Sequence, residues 1–136
     1  MYLIDTNVCI YFIKHKPIEV VRKVKSFQPY QIKVSAVTVA ELEYGASKSK
    51  AIEKNRIALL KFLSSFDVLP FDDQDAEYFG RIRAYLESIG RVIGPYDMQI
   101  AAQAMCKDLI LVSNNVKEFE RIPSLRIENW SERQDV

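Results

Sequence analysis

The chain begins with the stretch Met1-Tyr2-Leu3-Ile4-Asp5-Thr6-Asn7, and the interpretation of every later segment depends on it. Its apolar residues form a short run that is typical of a buried strand. The run ends at Asp5, and helix-like sequence follows after two small polar residues. An acid at the carboxyl end of a strand in an open α/β sheet lies where such sheets bind their ligands. We therefore expect Asp5 to belong to a functional site.

The size and composition of the chain predict one ordinary globular domain. It has 136 residues, of which 49% are hydrophobic and 27% are charged, with a formal net charge of +1. We expect a single domain over residues 1–130 and a polar tail over residues 131–136. No apolar run approaches the ~18 residues of a membrane helix, and no signal-peptide pattern is present. We therefore expect a cytoplasmic protein whose two cysteines, Cys9 and Cys106, stay reduced.

Short β-rich runs alternate with helical patterns along the whole chain. The predicted strands cover residues 1–4, 32–34, 67–71, 109–112 and 125–127. The patterns between them have helical spacing. One predicted helix spans residues 51–66, with an inward stripe of Leu59, Leu60, Leu63 and Phe66. Another is capped by Asp72 and closed by Gly90, with Phe79, Ile82, Leu86 and Ile89 inward. This alternation predicts a three-layer α/β/α fold with a central parallel sheet of four to five strands.

Three acids, Asp5, Glu41 and Asp97, stand at or near predicted helix starts. Each has a simpler structural explanation, because acids commonly cap helices or favour their first turn. Taken together, they indicate a site at one edge of the sheet. Two unit charges about 4 Å apart repel by roughly 4 kcal/mol at an effective dielectric of 20. A divalent cation resolves that repulsion, and oxygen ligands favour Mg²⁺, with Mn²⁺ as the alternative.

Four stretches of the chain resemble one known family. They are Leu3-Ile4-Asp5-Thr6-Asn7, Thr38-Val39-Ala40-Glu41-Leu42-Glu43-Tyr44-Gly45, Ile93-Gly94-Pro95-Tyr96-Asp97-Met98-Gln99-Ile100-Ala101-Ala102 and Leu111-Val112-Ser113-Asn114-Asn115-Val116-Lys117-Glu118-Phe119. In order and spacing they resemble the PIN-domain ribonucleases, and more narrowly the VapC toxins of type II toxin–antitoxin systems. The resemblance spans nearly the whole chain and implies a PIN-like fold.

The resemblance also implies roles for individual residues. Asp5 and Asp97 match the metal-binding acids, and Glu41 matches the third acid of the active site. Asn115 stands where many family members have a fourth acid, so the resemblance leaves a second charged metal site in doubt. Glu118 could substitute for that acid, or it could be an ordinary acid on a helix surface. Thr6 would orient an acid or a water, or simply cap its helix.

The activity implied is that of a Mg²⁺-dependent endoribonuclease toxin. Family members of this type cleave structured RNA, often transfer RNA, and the form Gly94-Pro95-Tyr96-Asp97 is similar to the group that acts on the anticodon region of initiator transfer RNA. The implied partners are a VapB-like antitoxin, an RNA substrate and a second copy of the chain, with no membrane. The aromatic residues Tyr11, Phe12, Tyr44 and Tyr96 could stack on unpaired bases, or they could belong to the core.

Three alternatives stay open on the residues alone. A haloacid-dehalogenase-like phosphatase also begins with a strand and an Asp, but it needs a second Asp where Asn7 stands. A receiver domain needs an acid pair near the first strand, and here Asp5 stands without a second acid beside it. A catalytically weak PIN domain that only binds RNA or an antitoxin is favoured by Asn115 and opposed by the three acids.

Overall fold

The computed structural model describes residues 1–131, which form five strands and seven α-helices. The strands are β1 (Tyr2–Ile4), β2 (Ile32–Ser35), β3 (Asp67–Leu69), β4 (Ile110–Val112) and β5 (Ile127–Glu128). The helices are α1 (Thr6–Lys14), α2 (Ile18–Lys25), α3 (Ala36–Ser47), α4 (Ile52–Leu63), α5 (Asp73–Ser88), α6 (Pro95–Cys106) and α7 (Val116–Phe119). The predicted tail over residues 131–136 lies outside the described residues except for Ser131.

All five strands form one parallel sheet in the order β3-β2-β1-β4-β5. In the centre of the sheet, Ile4 lies opposite Val34 on one side and Val112 on the other. This register brings the carboxyl ends of β1, β2 and β4 to the same height. The next residue after β1 is Asp5, so the acid predicted at a strand end lies on the edge that parallel α/β sheets use for ligands.

Helices cover both faces of the sheet, and each face has its own hydrophobic core. One core includes Leu3, Leu111 and the fully buried alanines of α6. The other includes Ile4, Val34 and the residues that α1 and α2 direct inward. Alternate residues of β1 therefore point into different cores, as expected for a strand buried on both faces. The prediction of a three-layer α/β/α fold is confirmed.

The start and end of α5 follow the sequence signals closely. The Asp72 carboxylate accepts a hydrogen bond from the Asp75 backbone N–H at 2.9 Å, and Asp75 returns one to the Asp72 N–H at 3.0 Å. This reciprocal capping box fixes the first turn. Beyond the other end, Gly90 adopts a φ of +68°, a conformation that residues with a Cβ rarely take. Both boundaries were predicted correctly.

Two residues that were predicted to face inward lie at the surface. Leu60 of α4 is 58% exposed, and Phe62 is buried in its place. Leu59 and Leu60 are adjacent, so they point about 100° apart on a helix and cannot both enter a narrow interface. Ile89 is 44% exposed because it follows the last residue of α5, where helical spacing no longer applies.

Cys9 is buried and Cys106 is half-buried, and both are free thiols. None of the helices within residues 1–131 is both long enough and apolar enough to cross a membrane.

Candidate active site

Asp5 occupies the turn between β1 and α1 and is 4% exposed. Its carboxylate caps α1 by accepting a hydrogen bond from the Val8 N–H at 2.9 Å. Burial raises the pKa of Asp5 above its ordinary value, and a hydrogen bond from the Ser113 hydroxyl opposes that rise. The negative charge of Glu41 raises the pKa further. The residue is thus both a helix cap and a carboxylate that shares its surroundings with another acid.

Glu41 projects from the middle of α3 toward the start of α1. The Thr6 hydroxyl donates to its Oε1 at 2.9 Å. A second hydroxyl contact of 3.1 Å joins Thr6 to the fully buried Thr38. The spacing of Thr38 and Glu41 is that of a capping box, but Ser35 caps α3 by accepting a hydrogen bond from the Val37 N–H. Thr38 instead contacts Thr6, and Thr6 in turn holds the Glu41 side chain in place by a hydrogen bond.

Asp97 lies in the first turn of α6, which begins at Pro95 after the N-cap residue Gly94. Partial burial raises the pKa of its carboxyl from 3.8 to about 6, and the negative charges of Asp5, Glu118 and Glu41 contribute to that rise. The carboxyl of Asp97 therefore experiences the negative charge of all three other acids. A loop and not a strand precedes α6, so the parallel topology of the sheet does not by itself place Asp97 at the sheet edge.

Asn115 and Glu118 lie on the loop and short helix that follow β4. The Asn115 Nδ2 donates to Glu118 Oε2 at 2.7 Å, and the Asn115 N–H donates to Ser113 Oγ at 2.9 Å. Asn115 thus positions the carboxylate of Glu118. Many family members instead carry an acid at the position of Asn115 itself. On sequence alone, Glu118 could either substitute for the fourth acid or be an ordinary acid on a helix surface. Its sequence signal was its position three residues after Asn115, in the first turn of a helix after a strand.

The four carboxylates of Asp5, Glu41, Asp97 and Glu118 pair with no cationic side chain in the part of the chain that the structure describes. Within residues 1–131, every ion pair joins other residues. In the same part of the chain, no group of three or more His, Cys, Asp or Glu side chains is arranged to hold a metal ion. Mg²⁺ does not need such a group, because it keeps several waters and takes one or two carboxylates together with phosphate. The donor set therefore fits a hard divalent ion.

A cavity of about 770 Å³ extends from Glu41 between α1, α3 and α4. Its walls are mainly apolar, and polar or charged groups stand at several points along it. The lining includes Thr6, Glu41, Tyr44, Tyr96, Lys14 and Lys48. Glu41 is thus accessible from a groove large enough for an extended polymer segment.

Comparison with known proteins gives the family. The sequence model of the PIN domain matches residues 2–125. The chain belongs to the PIN-domain family. A relative from Haemophilus influenzae named Ribonuclease VapC2 is 45% identical over 129 residues, covering 95% of this chain and 97% of its own length. The resemblance predicted from the sequence is confirmed, and so is the prediction of a nuclease.

Two further comparisons come from Salmonella typhimurium. The tRNA(fMet)-specific endonuclease VapC of that organism is 44% identical over 129 residues, covering 95% of this chain and 97% of the relative. A crystal structure of DNA-bound VapBC from the same organism superposes with a TM-score of 0.90 at 43% identity, again covering 95% of this chain and 97% of that chain. This PIN domain therefore shares fold and length with VapC proteins, which excludes the phosphatase and receiver alternatives.

Proposed function

We propose that the chain is a Mg²⁺-dependent endoribonuclease and the toxin of a VapBC-type toxin–antitoxin pair. The observation that carries the proposal is that the charges of Asp5, Glu41 and Glu118 act on Asp97, while no cation among residues 1–131 pairs with these acids. Such a site repels a phosphodiester unless a cation is present. PIN nucleases generally depend on a divalent metal, and such an ion would be the missing cation. The oxygen donors of the site favour Mg²⁺ over softer metals.

In this proposal Asp5 and Asp97 hold the ion, which when bound supplies positive charge for the phosphate and acidity for a nearby water. Glu41 accepts a proton from the attacking water, and Thr6 keeps its Oε1 in place. The water oxygen bonds to phosphorus as the bond to the 3′-oxygen breaks, and the leaving oxygen takes a proton from solvent. The 2′-hydroxyl takes no part, so the products carry a 5′-phosphate and a 3′-hydroxyl.

The proposed substrate is transfer RNA, with the anticodon region of initiator transfer RNA as the specific target. Two observations support it. Relatives named tRNA(fMet)-specific endonuclease VapC from Salmonella typhimurium and Shigella flexneri are each 44% identical to the chain across nearly its whole length. The Gly94-Pro95-Tyr96-Asp97 sequence at the start of α6 is also the form expected of that group.

The proposed protein partners are a VapB-like antitoxin and a second copy of the chain. An antitoxin segment fits the apolar cavity between α1, α3 and α4, and an Arg on that segment would neutralise the acids. Structures of VapBC complexes from Salmonella typhimurium and Rickettsia felis match the chain with TM-scores of 0.90. For the second copy, α4 presents Ile52, Ile57 and Leu60, which are 47%, 61% and 58% exposed.

The test is cleavage of a transfer RNA panel by the purified protein in Mg²⁺, Mn²⁺ and EDTA, with the product ends identified. We expect cleavage only with metal, and its loss in Asp5→Asn and Asp97→Asn. Asp73→Asn, which changes an exposed acid of α5, is the matched control and should leave cleavage intact. RNA binding without cleavage under every condition would support the alternative of a catalytically weak binding module. Full cleavage in EDTA would refute the metal assignment.

A further inference from the structure

Two exposed tyrosines stand beside the acids of the candidate active site. Tyr44 is 65% exposed and Tyr96 is 57% exposed, and both line the cavity that contains Glu41. Tyr96 directly precedes Asp97 in α6. Tyr44 follows Glu41 by three residues in α3, so the two side chains leave the same side of the helix. Each tyrosine therefore lies on the same helix as one of the acids, Tyr44 with Glu41 on α3 and Tyr96 with Asp97 on α6.

The other two aromatic residues that we considered for base stacking are already engaged elsewhere. The Tyr11 hydroxyl accepts a hydrogen bond from Asn114 Nδ2 at 2.7 Å. The Phe12 ring lies 5.8 Å from the Phe62 ring, centroid to centroid, within the core. By contrast, in the part of the chain that the structure describes, Tyr44 and Tyr96 make no ring–ring contact and no hydrogen bond through their hydroxyls. No other aromatic ring of residues 1–131 covers either of them.

Two lysines line the same cavity without a carboxylate partner among residues 1–131. Lys14 ends α1 and Lys48 follows α3. The Lys48 ammonium lies 4.7 Å from the centroid of the Tyr44 ring, a cation–π contact that orients the ring. The cavity thus combines exposed aromatic rings with lysines that pair with no carboxylate among the described residues, next to acids that require a cation. Nucleic acid strands match this combination, because phosphates seek cations and bases stack on aromatic rings.

We propose that Tyr44 and Tyr96 are positioning residues that stack on unpaired bases next to the scissile phosphate, while Lys14 and Lys48 contact the phosphates of the same strand. Bases within a duplex cannot reach these rings, since neighbouring base pairs cover their faces. The cavity therefore selects a single-stranded RNA segment such as a loop. This inference rests on the proposed ribonuclease function and specifies the state of its substrate.

The first test measures binding without cleavage. A short single-stranded RNA that carries the fluorescent base 2-aminopurine is titrated with the protein in Ca²⁺ in place of Mg²⁺, with the RNA checked to be intact after the titration, and stacking is followed as fluorescence quenching. Tyr44→Ala and Tyr96→Ala should each weaken binding by about 5- to 100-fold and reduce the quenching, and Tyr→Phe at either position should stay within about twofold of wild type. Tyr30→Ala, at a tyrosine that is 63% exposed and outside the cavity, is the control and should change nothing.

Wild-type affinity and quenching in both Ala variants would overturn the inference. An equal loss of binding to a blunt RNA duplex and to the single strand would also overturn it, because stacking on unpaired bases affects the single strand alone. Thermal unfolding of each variant identifies any that fail to fold. For such a variant the Tyr→Phe and Tyr→Leu pair replaces Tyr→Ala, and only Phe should retain quenching.

The second test separates this inference from the proposed function. With Mg²⁺ and a cleavable RNA, the Ala variants should raise KM while kcat stays within about twofold of wild type. If wild type quenches the probe but cleaves no RNA, the nuclease proposal fails and the stacking inference stands. If wild type cleaves RNA and the Ala variants match it in KM and quenching, the stacking inference alone fails.

Discussion

The Thr6 hydroxyl donates a 2.9 Å hydrogen bond to Glu41 Oε1 and thereby joins the first turn of α1 to the middle of α3. Thr6 is itself held by Thr38, a fully buried residue one turn before Glu41. Glu41 accordingly has one preferred direction, toward the carboxyl edge of the sheet. A flexible glutamate would otherwise lose side-chain entropy each time it adopted the geometry of the reaction.

Replacing this donor should affect catalysis more than substrate binding. Thr6→Val keeps the size of the side chain and removes its hydroxyl, so Glu41 loses its orientation. We expect kcat to fall by about 10- to 100-fold, as for other residues that orient an active-site group, with KM little changed. Steady-state cleavage measures both constants. Thr6→Ser retains the hydroxyl and should recover most of the loss, whereas equal kcat values for Val and wild type would show that the bond has no catalytic role.

Asp97 should destabilise the metal-free fold at neutral pH. Its pKa of about 6 in the folded protein exceeds the ordinary value of 3.8, so the folded state binds this proton more tightly than the unfolded chain does. The ionised side chain therefore opposes folding above about pH 6, and the penalty vanishes as the pH falls below 3.8. Asp97→Asn should raise the free energy of unfolding in EDTA by about 1–2 kcal/mol near neutral pH, after allowance for solvent screening.

Urea unfolding of wild type and Asp97→Asn in EDTA across a pH series measures this effect. The difference in unfolding free energy should be largest at neutral pH and close to zero below about pH 4. Asp73→Asn provides an exposed control and should show no such pH dependence. Adding Mg²⁺ should stabilise wild type and leave Asp97→Asn nearly unchanged, because only a site that binds the ion gains stability from it. A variant less stable than wild type at neutral pH would contradict the prediction.

Most of the fold was predictable because local signals and global architecture agree. The strand ending at Asp5, the cap at Asp72 and the stop at Gly90 each depend on chemistry within a few residues. The errors at Leu60 and Ile89 arose where a repeating pattern was extended past what a helix can bury. Whether an apolar residue on a peripheral helix meets a neighbour depends on long-range packing, which periodicity alone does not determine.

The site was predictable where the sheet itself sets the geometry. Asp5 follows the central strand, so its position at the carboxyl edge follows from parallel topology. Glu118 could not be assigned, because its place depends on one side-chain hydrogen bond from Asn115. The contact between Thr6 and Thr38 was also missed, since it joins residues 32 positions apart. The roles of Asp5, Thr6, Glu41, Asp97 and Asn115 in catalysis stay predictions.

Glu118 should act as a fourth acid that Asn115 holds in place. Its charge contributes to the raised pKa of Asp97, so Glu118→Gln should lower that pKa toward its ordinary value. We also expect a weaker response to Mg²⁺ and cleavage reduced by about 10-fold, as for residues that support a metal site from its periphery. Glu120→Gln, at an exposed acid two positions along, is the control. Unchanged Mg²⁺ dependence in Glu118→Gln would return Glu118 to the status of a surface acid.

Lys107 should stabilise the fold without affecting catalysis. Its ammonium lies 2.6 Å from Asp72 Oδ2 and 3.6 Å from Oδ1 of the fully buried Asp75, and so it joins the end of α6 to the start of α5. Lys107→Met keeps the apolar stem and leaves the buried carboxylate without its cation. We expect a lower melting temperature at neutral pH with kcat unchanged.

The pH dependence of that loss has a definite sign. Hydrogen bonds from Lys107 and the Asp75 N–H lower the pKa of Asp72 below 3.8 in the folded protein. The stabilisation from ionised Asp72 is therefore complete above that value and disappears as the pH falls through the lowered pKa. The melting temperatures of wild type and Lys107→Met should consequently converge in acid. Lys117→Met, at an exposed lysine of α7, is the matched control. A difference that persists unchanged at low pH would show that the ion pair between Lys107 and ionised Asp72 is not its cause.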